Sequence, residues 1–400
     1  MKISVETKRA LKNAMSLKGK PPVYCRGLMI FEPGSSEGTF VAVTLDNPVA
    51  GSVDPVGDAI QFEANALKGA LSGKEREMQF HASANEVFFN GIRVGAILDG
   101  ESKAAAELLV EHFYQRMAVP LMGQIRVNTE ALKKVSPFAA KNDIRERLNA
   151  VALEPATHTM VGTNGHMMLI ANTSSCTSVH ADGWDVIQEK SSCVEKPRQV
   201  LLRANVIAAL LAAAETSFTV DVPFALPTSD SEECGPHGDL RIHIGGTYFL
   251  VPPIDDVFVD WRRTVPQQFR TAYEDWAFAE VDLSAIDWSK IRKQMNVKPS
   301  QSPMCNGVKL LRKGESLQVC WESRGEVLDA VPVIRDISTK RFTETGVNAL
   351  YAETIVKAIG DGADWTVACY QNTWVSGRHW EHTIVARNGP YTALLMPTRV

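Results

Sequence analysis

The sequence of 400 residues lacks several features that mark common classes of protein. It has no apolar run of about 18 residues, the length that a membrane-spanning helix needs. Its first residues, MKISVETKRALKNAM, lack the continuous apolar segment of a signal peptide, so we expect a cytoplasmic protein. Neither sign of charge dominates, because 42 basic and 46 acidic residues leave a formal net charge of −4. This balance excludes a uniformly basic nucleic-acid binder and still allows a locally basic face.

The sequence is also poor in the residue patterns of metal and catalytic sites. Its seven cysteines are scattered and form no CxxC pair, which argues against a zinc site or a disulfide framework. The patterns GxxxxGK[ST], HExxH and GxGxxG do not occur. His158, His166 and His180 are the closest histidines, and their spacing fits no usual metal pattern. We therefore expect no catalytic residue, no metal and no cofactor.

What the sequence does contain is a threefold pattern. VETKRALKNAM (5–15), VNTEALKKV (127–135) and VDLSAIDWSKIRKQM (281–295) each begin with valine and continue at helical spacing after a polar cap residue. A second apolar helix follows in each part, as FEANALKGAL (62–71), LRANVIAALLAAAE (202–215) and LYAETIVKAIG (350–360). Alternating runs around these helices predict antiparallel strands. We predict three homologous α+β domains at 1–122, 123–272 and 273–400, with chance similarity of amphipathic helices as the alternative.

Basic residues concentrate on the first helix of each repeat and in the loop that follows it. Such a face can contact a phosphate backbone without reading base sequence, whereas an ordinary solvated helix face is the alternative. No aromatic residue is interleaved with the lysines, so a groove for single strands is not indicated. The residues predicted to face DNA are Lys8, Arg9, Lys12, Lys18, Lys20, Lys133, Lys134, Lys141, Asn142, Arg145, Lys290, Arg292 and Lys293.

Four stretches carry a resemblance to a known family. ALKKVSPFAAKNDIRERLNAVALEP (131–155) and TMVGTNGHMMLIAN (159–172) resemble segments written R-x-x-L-N-G and TDGHRLA in that family. VFVDWRRTVP (257–266) resembles RFPDYRRVLP, and the terminal YTALLMPTRV (391–400) resembles YVVMPMRL. The family is the bacterial DNA polymerase III beta subunit, the sliding clamp. A clamp as divergent as this sequence would suit a phage or a plasmid.

The resemblance implies a DNA clamp fold and a role in DNA replication. In that family two subunits of three domains form a homodimeric ring around duplex DNA, with helices lining the hole and antiparallel sheets outside. The chain would then be a non-catalytic processivity factor. Its partners would be duplex DNA, held topologically, and a DNA polymerase and a clamp loader, held through short peptides.

The resemblance also implies a peptide-binding cleft between the second and third domains. Residue by residue, this cleft would use Leu148, Thr163, Gly165, His166, Met167, Met168, Val259, Arg263, Thr264, Leu394, Met396, Pro397, Thr398, Arg399 and Val400. Three of these positions depart from the family pattern. Met167 stands in place of arginine, Val259 in place of proline and Thr264 in place of valine, which would retune the choice of peptide.

Two other functions remain open at the level of sequence. One is a clamp-like interaction protein, monomeric, that binds or blocks clamp partners without encircling DNA. The other is an unrelated three-domain enzyme whose site the residue patterns do not reveal. The mass in solution separates the ring from the monomer.

Overall fold

The computed structural model describes strands and isolated positions before residue 121 and longer stretches after it. From residue 121 it describes 121–172, 176–180, 199–214, 216–223, 239–244, 247–252, 254, 256–265, 276–295, 307–321, 325–337, 344–370 and 384–397. The predicted basic residues Lys8, Arg9, Lys12, Lys18 and Lys20 lie outside the described residues, as do Thr398, Arg399 and Val400.

The chain forms two compact units that interleave along the sequence. Unit 1 comprises Met1–Glu130, Glu154–His158 and Cys176–Asp255, and unit 2 comprises Ala131–Leu153, Thr159–Ser175 and Asp256–Val400. These units do not follow the predicted domain boundaries, so the boundaries at 122 and 272 stay a prediction.

Most of the described residues in the first part of unit 1 lie in short strands. These are β1 (Lys2–Ile3), β2 (Leu28–Met29), β3 (Gly38–Ala42), β4 (Val49–Val53), β5 (Ile60–Phe62), β6 (Met78–Ser83), β7 (Glu86–Phe89) and β8 (Ile92–Ile97). They form one antiparallel sheet in the order β1-β6-β7-β8-β5-β2, while β3 and β4 join a second sheet. Of the predicted helix at 62–71, two residues are described: Phe62, which is the last residue of β5, and Gly69, which is helical.

The middle of the chain has one strand, a helix, a group of strands, a second helix and a second group of strands. Its elements are β9 (Leu121–Asn128), α1 (Thr129–Val135), β10 (Ala150–Glu154), β11 (Thr159–Thr163), β12 (Met167–Ala171), β13 (Cys176–His180), β14 (Val200–Arg203), α2 (Ala204–Ala213), β15 (Ser217–Pro223), β16 (Leu240–Ile244) and β17 (Thr247–Val251). In unit 1, strands run in the order β13-β9-β15-β16-β17-β4-β3.

The last part of the chain repeats this order of elements. It contains β18 (Trp276–Val281), α3 (Trp288–Gln294), β19 (Gly307–Lys313), β20 (Ser316–Trp321), β21 (Glu326–Asp336), β22 (Glu344–Asn348), α4 (Ala349–Ile359), β23 (Asp364–Tyr370), β24 (Ile384–Asn388) and β25 (Tyr391–Leu395). In unit 2, strands run in the order β10-β11-β12-β25-β24-β23-β18-β21-β20-β19-β22.

Strand pairing is repeated as well as element order. The antiparallel series β9-β15-β16-β17 matches the series β18-β23-β24-β25. The long strand β21 pairs with β20 near its start and with β18 near its end, whereas the middle part uses β12 and β13 for these two pairings. The predicted α+β class, built on a repeated unit of antiparallel sheet and helix, is confirmed.

Local signals explain where the later helices begin. Asn348 caps α4, because its side-chain oxygen accepts hydrogen bonds from the backbone of Leu350 and Tyr351 at 3.0 and 3.2 Å. α3 begins later than the sequence pattern predicted. Its cap is Asp287, whose carboxylate accepts from the Lys290 backbone at 2.9 Å, while Asp282 caps the short 3-10 helix Leu283–Ala285 before it.

Each helix buries one apolar face. The buried residues are Ala131, Leu132 and Val135 on α1, Val206, Ile207 and Leu210 on α2, Trp288 and Ile291 on α3, and Ala352, Ile355 and Ile359 on α4. No helix among the described residues is long and apolar enough to cross a membrane.

Candidate peptide-binding site and basic helix faces

The hairpin between β11 and β12 is built by the side chain of Asn164. Its Oδ1 accepts hydrogen bonds from the backbone N–H groups of His166 and Met167, both at 2.9 Å. Gly165 has φ +85°, a left-handed conformation that favours glycine. Thr163 Oγ1 donates to the Met167 carbonyl at 2.8 Å. The turn therefore has a fixed shape that presents His166 to solvent.

His166 contacts an aromatic residue that the sequence did not single out. Its ring stacks on that of Tyr351, with centroids 5.8 Å apart and an angle of 15° between the planes. Burial raises the pKa of Tyr351, and a hydrogen bond with the Asn164 side chain opposes this effect. Tyr351 lies in the first turn of α4, so its only sequence signal is its position three residues after the cap Asn348.

The C-terminal strand lies directly beside the hairpin. Strand β12 pairs with β25 so that Met167 faces Leu395 and Met168 faces Leu394 across the ladder. The Met396 N–H then donates to the His166 carbonyl at 2.8 Å. Two distant segments that carried the family resemblance are thus brought together in unit 2.

Several predicted cleft residues meet around this pairing. Met167 and Met168 are each 6% exposed, and the hydroxyl of Thr264 lies 3.9 Å from the Met168 sulfur. A Cβ atom at Gly165 would lie 3.9 Å from Leu148 Cδ1, so the turn packs over that buried leucine. The structure therefore groups Leu148, Thr163, Gly165, His166, Met167, Met168, Thr264, Leu394 and Met396.

The remaining described cleft residues have other surroundings. Arg263 is exposed at the end of the short 3-10 helix Trp261–Arg263, and its Nε lies 2.9 Å from Asp260 Oδ2. Val259 and Pro397 are half-buried. An unpredicted ion pair joins Arg147 to Asp256 at 3.4 Å, two residues before the aromatic Phe258.

A charged loop, residues 142–149, stands next to the hairpin. Arg145 forms a bidentate pair with Asp143, with Nε–Oδ1 and Nη2–Oδ2 distances of 3.0 Å. These hydrogen bonds lower the pKa of Asp143 to about 2, so the carboxylate stays ionised at neutral pH. Asn149 closes the loop by accepting from the Asp143 N–H at 2.8 Å. Within this loop the Ile144 side chain is 98% exposed.

The predicted DNA-facing residues that the structure describes fall into two groups. Lys133, Lys141, Asn142, Lys290 and Lys293 are exposed. The charges of the other three already have partners: Lys134 Nζ lies 4.3 Å from the Tyr391 ring centre, Arg145 pairs with Asp143, and Arg292 pairs with Glu353 at 2.8 Å. Sequence spacing could not reveal the partners of Lys134 and Arg292, because they lie far along the chain.

A metal site is not found in the part of the chain that the structure describes. There, no group of three or more histidine, cysteine, aspartate or glutamate side chains lies close enough to hold an ion. One short serine pattern, GSSEG at 34–38, fits GxSxG and was missed in the sequence. It runs into strand β3, whereas a nucleophile elbow joins a strand to a following helix, so the pattern does not fit that role.

The matches to known proteins come from comparison of structures. No family model matches the sequence, and no curated protein does. A DNA polymerase sliding clamp from Pseudomonas aeruginosa superposes with a TM-score of 0.67 at 15% identity, over 100% of both chains. The DNA polymerase III beta subunit of Thermotoga maritima gives 0.66 at 14% identity, over 100% of this chain and 99% of that one.

A third solved structure has a ligand. The Helicobacter pylori beta clamp bound to a DNA ligase peptide gives a TM-score of 0.64 at 13% identity, with 100% of both chains covered. All three are bacterial clamps, aligned over essentially their whole length. The chain therefore has the fold of the bacterial sliding clamps, as the resemblance of its sequence predicted.

Proposed function

We propose that this chain is a DNA sliding clamp, a processivity factor without catalytic residues that encircles duplex DNA as a ring of two subunits. The observation that carries the proposal is the structural match to sliding clamps along the full length of both chains. The ring would hold DNA by topology, so weak and non-specific phosphate contacts suffice and permit sliding.

Strand pairing supports a specific route to ring closure. In unit 1 the last strand of the middle part, β17, pairs with β4, and in unit 2 the last strand of the chain, β25, pairs with β12. In both cases the last strand of one repeat pairs with a strand of the repeat before it. The last strand described in the first repeat, β8, would by this pattern pair with β21 in the last repeat of a second copy. Strand β8 now pairs with β5 through residues 95–97, so ring closure would exchange that pairing for one between subunits.

The ring is tested by mass and by topology. Analytical ultracentrifugation of the full chain at micromolar concentration should give about twice 43.9 kDa. The dimer, once loaded, should stay on nicked circular DNA and be lost when the circle is cut. A stable monomer that associates equally with circular and linear DNA would contradict the ring and favour a clamp-like interaction protein.

The peptide cleft belongs to the same proposal. We assign it to the residues grouped around the β12–β25 pairing, together with Val259, Arg263 and residues 397–400. Met167 and Met168 are flexible apolar side chains, and the exposed His166 beside them is polar. This combination suits short peptides that bind through apolar side chains. A polymerase and a clamp loader would bind there in turn.

The basic helix face yields a prediction of its own. Lys133→Glu on α1 is expected to lower retention on nicked circular DNA severalfold, because it replaces an exposed cation by an anion opposite phosphate. Lys313→Glu is the matched control, since Lys313 is exposed at the end of β19 and not on a helix. Retention is measured by gel filtration of labelled protein with DNA. Equal retention of the two variants would contradict the proposal that α1 faces DNA.

A further inference from the structure

A buried acid lies between the two helices of the last repeat. Glu353 on α4 is 4% exposed and receives contacts from three side chains. Ser289 Oγ and Lys357 Nζ donate to its Oε1 at 2.6 and 2.5 Å. Arg292 Nη1, from α3, lies 2.8 Å from its Oε2. One carboxylate therefore faces two cations, each on a different helix.

The carboxylate keeps its charge in this position. Burial by itself raises the pKa of Glu353, but the hydrogen bonds from Lys357 and Ser289 and the charge of Arg292 outweigh burial and bring the pKa below its ordinary value. An ionised carboxylate at neutral pH cancels part of the positive charge that α3 and α4 carry.

Arg292 and Lys357, which contact Glu353, differ from the two lysines of α3. Arg292 Nη1 lies close enough to Glu353 Oε2 for an ion pair. Neither Glu353 Oε2 nor Arg292 Nε makes a hydrogen bond with the described residues. Lys290 and Lys293 are exposed and make no ion pair with the residues that the structure describes. The side chain of Lys357 is 68% exposed, so it could reach a phosphate if Glu353 did not hold it.

We propose that Glu353 is a counter-charge that weakens the hold of the α3–α4 face on duplex DNA by engaging Arg292 and Lys357. The inference rests on the proposed function, because it takes this face to be the DNA face. Each cation that neutralises a phosphate releases a counterion and steepens the salt dependence of binding. A carboxylate that competes for two cations therefore lowers both the affinity and this dependence, which favours sliding over static binding.

Removing one charge tests the counter-charge. In the full chain, Glu353→Gln keeps a side-chain acceptor for Ser289 and loses the negative charge. We expect it to bind a fluorescent duplex roughly three- to tenfold more tightly at about 0.1 M salt, with a log–log salt slope steeper by about one. The control is Glu315→Gln, which makes the same charge change at an exposed residue in the β19–β20 turn.

The outcomes separate the inference from the function on which it rests. Equal affinities for wild type and Glu353→Gln, or an equal gain in the control, overturn the counter-charge. Wild-type protein that, once loaded, does not stay on nicked circular DNA overturns the sliding-clamp proposal itself.

A second pair of variants tests the same idea at exposed lysines and keeps Glu353 itself in place. Lys357→Gln removes a cation that Glu353 already engages, whereas Lys293→Gln removes one that makes no ion pair with the described residues. We expect Lys293→Gln to weaken duplex binding more than Lys357→Gln does. Equal losses in the two variants would overturn the counter-charge, even if Glu353→Gln failed to fold.

Discussion

A chain shortened by residues 396–400 is expected to lose its affinity for clamp-binding peptides while it keeps its fold. The cut falls after Leu395, the last residue of β25, so the β12–β25 and β24–β25 ladders stay complete. The deletion removes the Met396 N–H that holds the His166 carbonyl, and with it the proposed C-terminal edge of the cleft. Loss of such an edge should cost more than about 2 kcal/mol of binding free energy, roughly 30-fold in Kd.

The probe for this measurement is a fluorescent peptide from a bacterial DNA ligase, the kind of ligand in the H. pylori clamp structure. Fluorescence anisotropy gives its Kd for the intact and the shortened chain, and circular dichroism compares their thermal unfolding. Val327→Ser, on exposed β21, is a control that should leave peptide affinity unchanged. Unchanged affinity in the shortened chain would contradict the assignment of residues 396–400 to the cleft.

Replacing Gly162 by alanine is expected to destabilise unit 2 strongly. A Cβ atom at this position would lie 2.6 Å from the Val135 carbonyl oxygen and 3.0 Å from Val135 Cγ1. Both atoms belong to the end of α1, which packs on strand β11, and backbone cannot give way as a flexible side chain can. Overpacking of this kind typically costs about 1–3 kcal/mol, and we expect the upper end here.

The matched control makes the same substitution where space is open. A Cβ atom at the helical Gly69 meets no atom within 4 Å, so Gly69→Ala should leave stability unchanged or raise it by up to about 1 kcal/mol. Urea unfolding followed by tryptophan fluorescence measures both variants. Similar unfolding midpoints for Gly162→Ala and wild type would contradict the close approach of α1 to β11.

Local patterns in the sequence predicted the helices and turns more reliably than the side-chain contacts between separate elements. The helices at 127–135, 202–215 and 350–360 and the hairpin around Asn164 follow from spacing and turn chemistry, which act over a few residues. The late start of α3 was missed because two caps follow each other closely: Asp282 begins the short 3-10 helix Leu283–Ala285, and Asp287 begins α3.

Charge partners were the hardest feature to predict. Tyr391 under Lys134 and Glu353 beside Arg292 are ordinary residues of a strand and a helix, and nothing in their own neighbourhood marks them. Their roles depend on tertiary packing that brings separate elements together. The stack of His166 on Tyr351 has the same origin, so the resemblance, which included His166, could not predict Tyr351 as its neighbour.

The pairing of β12 with β25 has a consequence for folding. Met167 pairs across the ladder with Leu395, a residue that lies far later in the chain. Contacts so distant in sequence form slowly, because a long loop must close before they stabilise the chain. A chain truncated before β25 would therefore lack the ladder that holds β12, and in the hairpin around Asn164 β12 would keep only its pairing with β11.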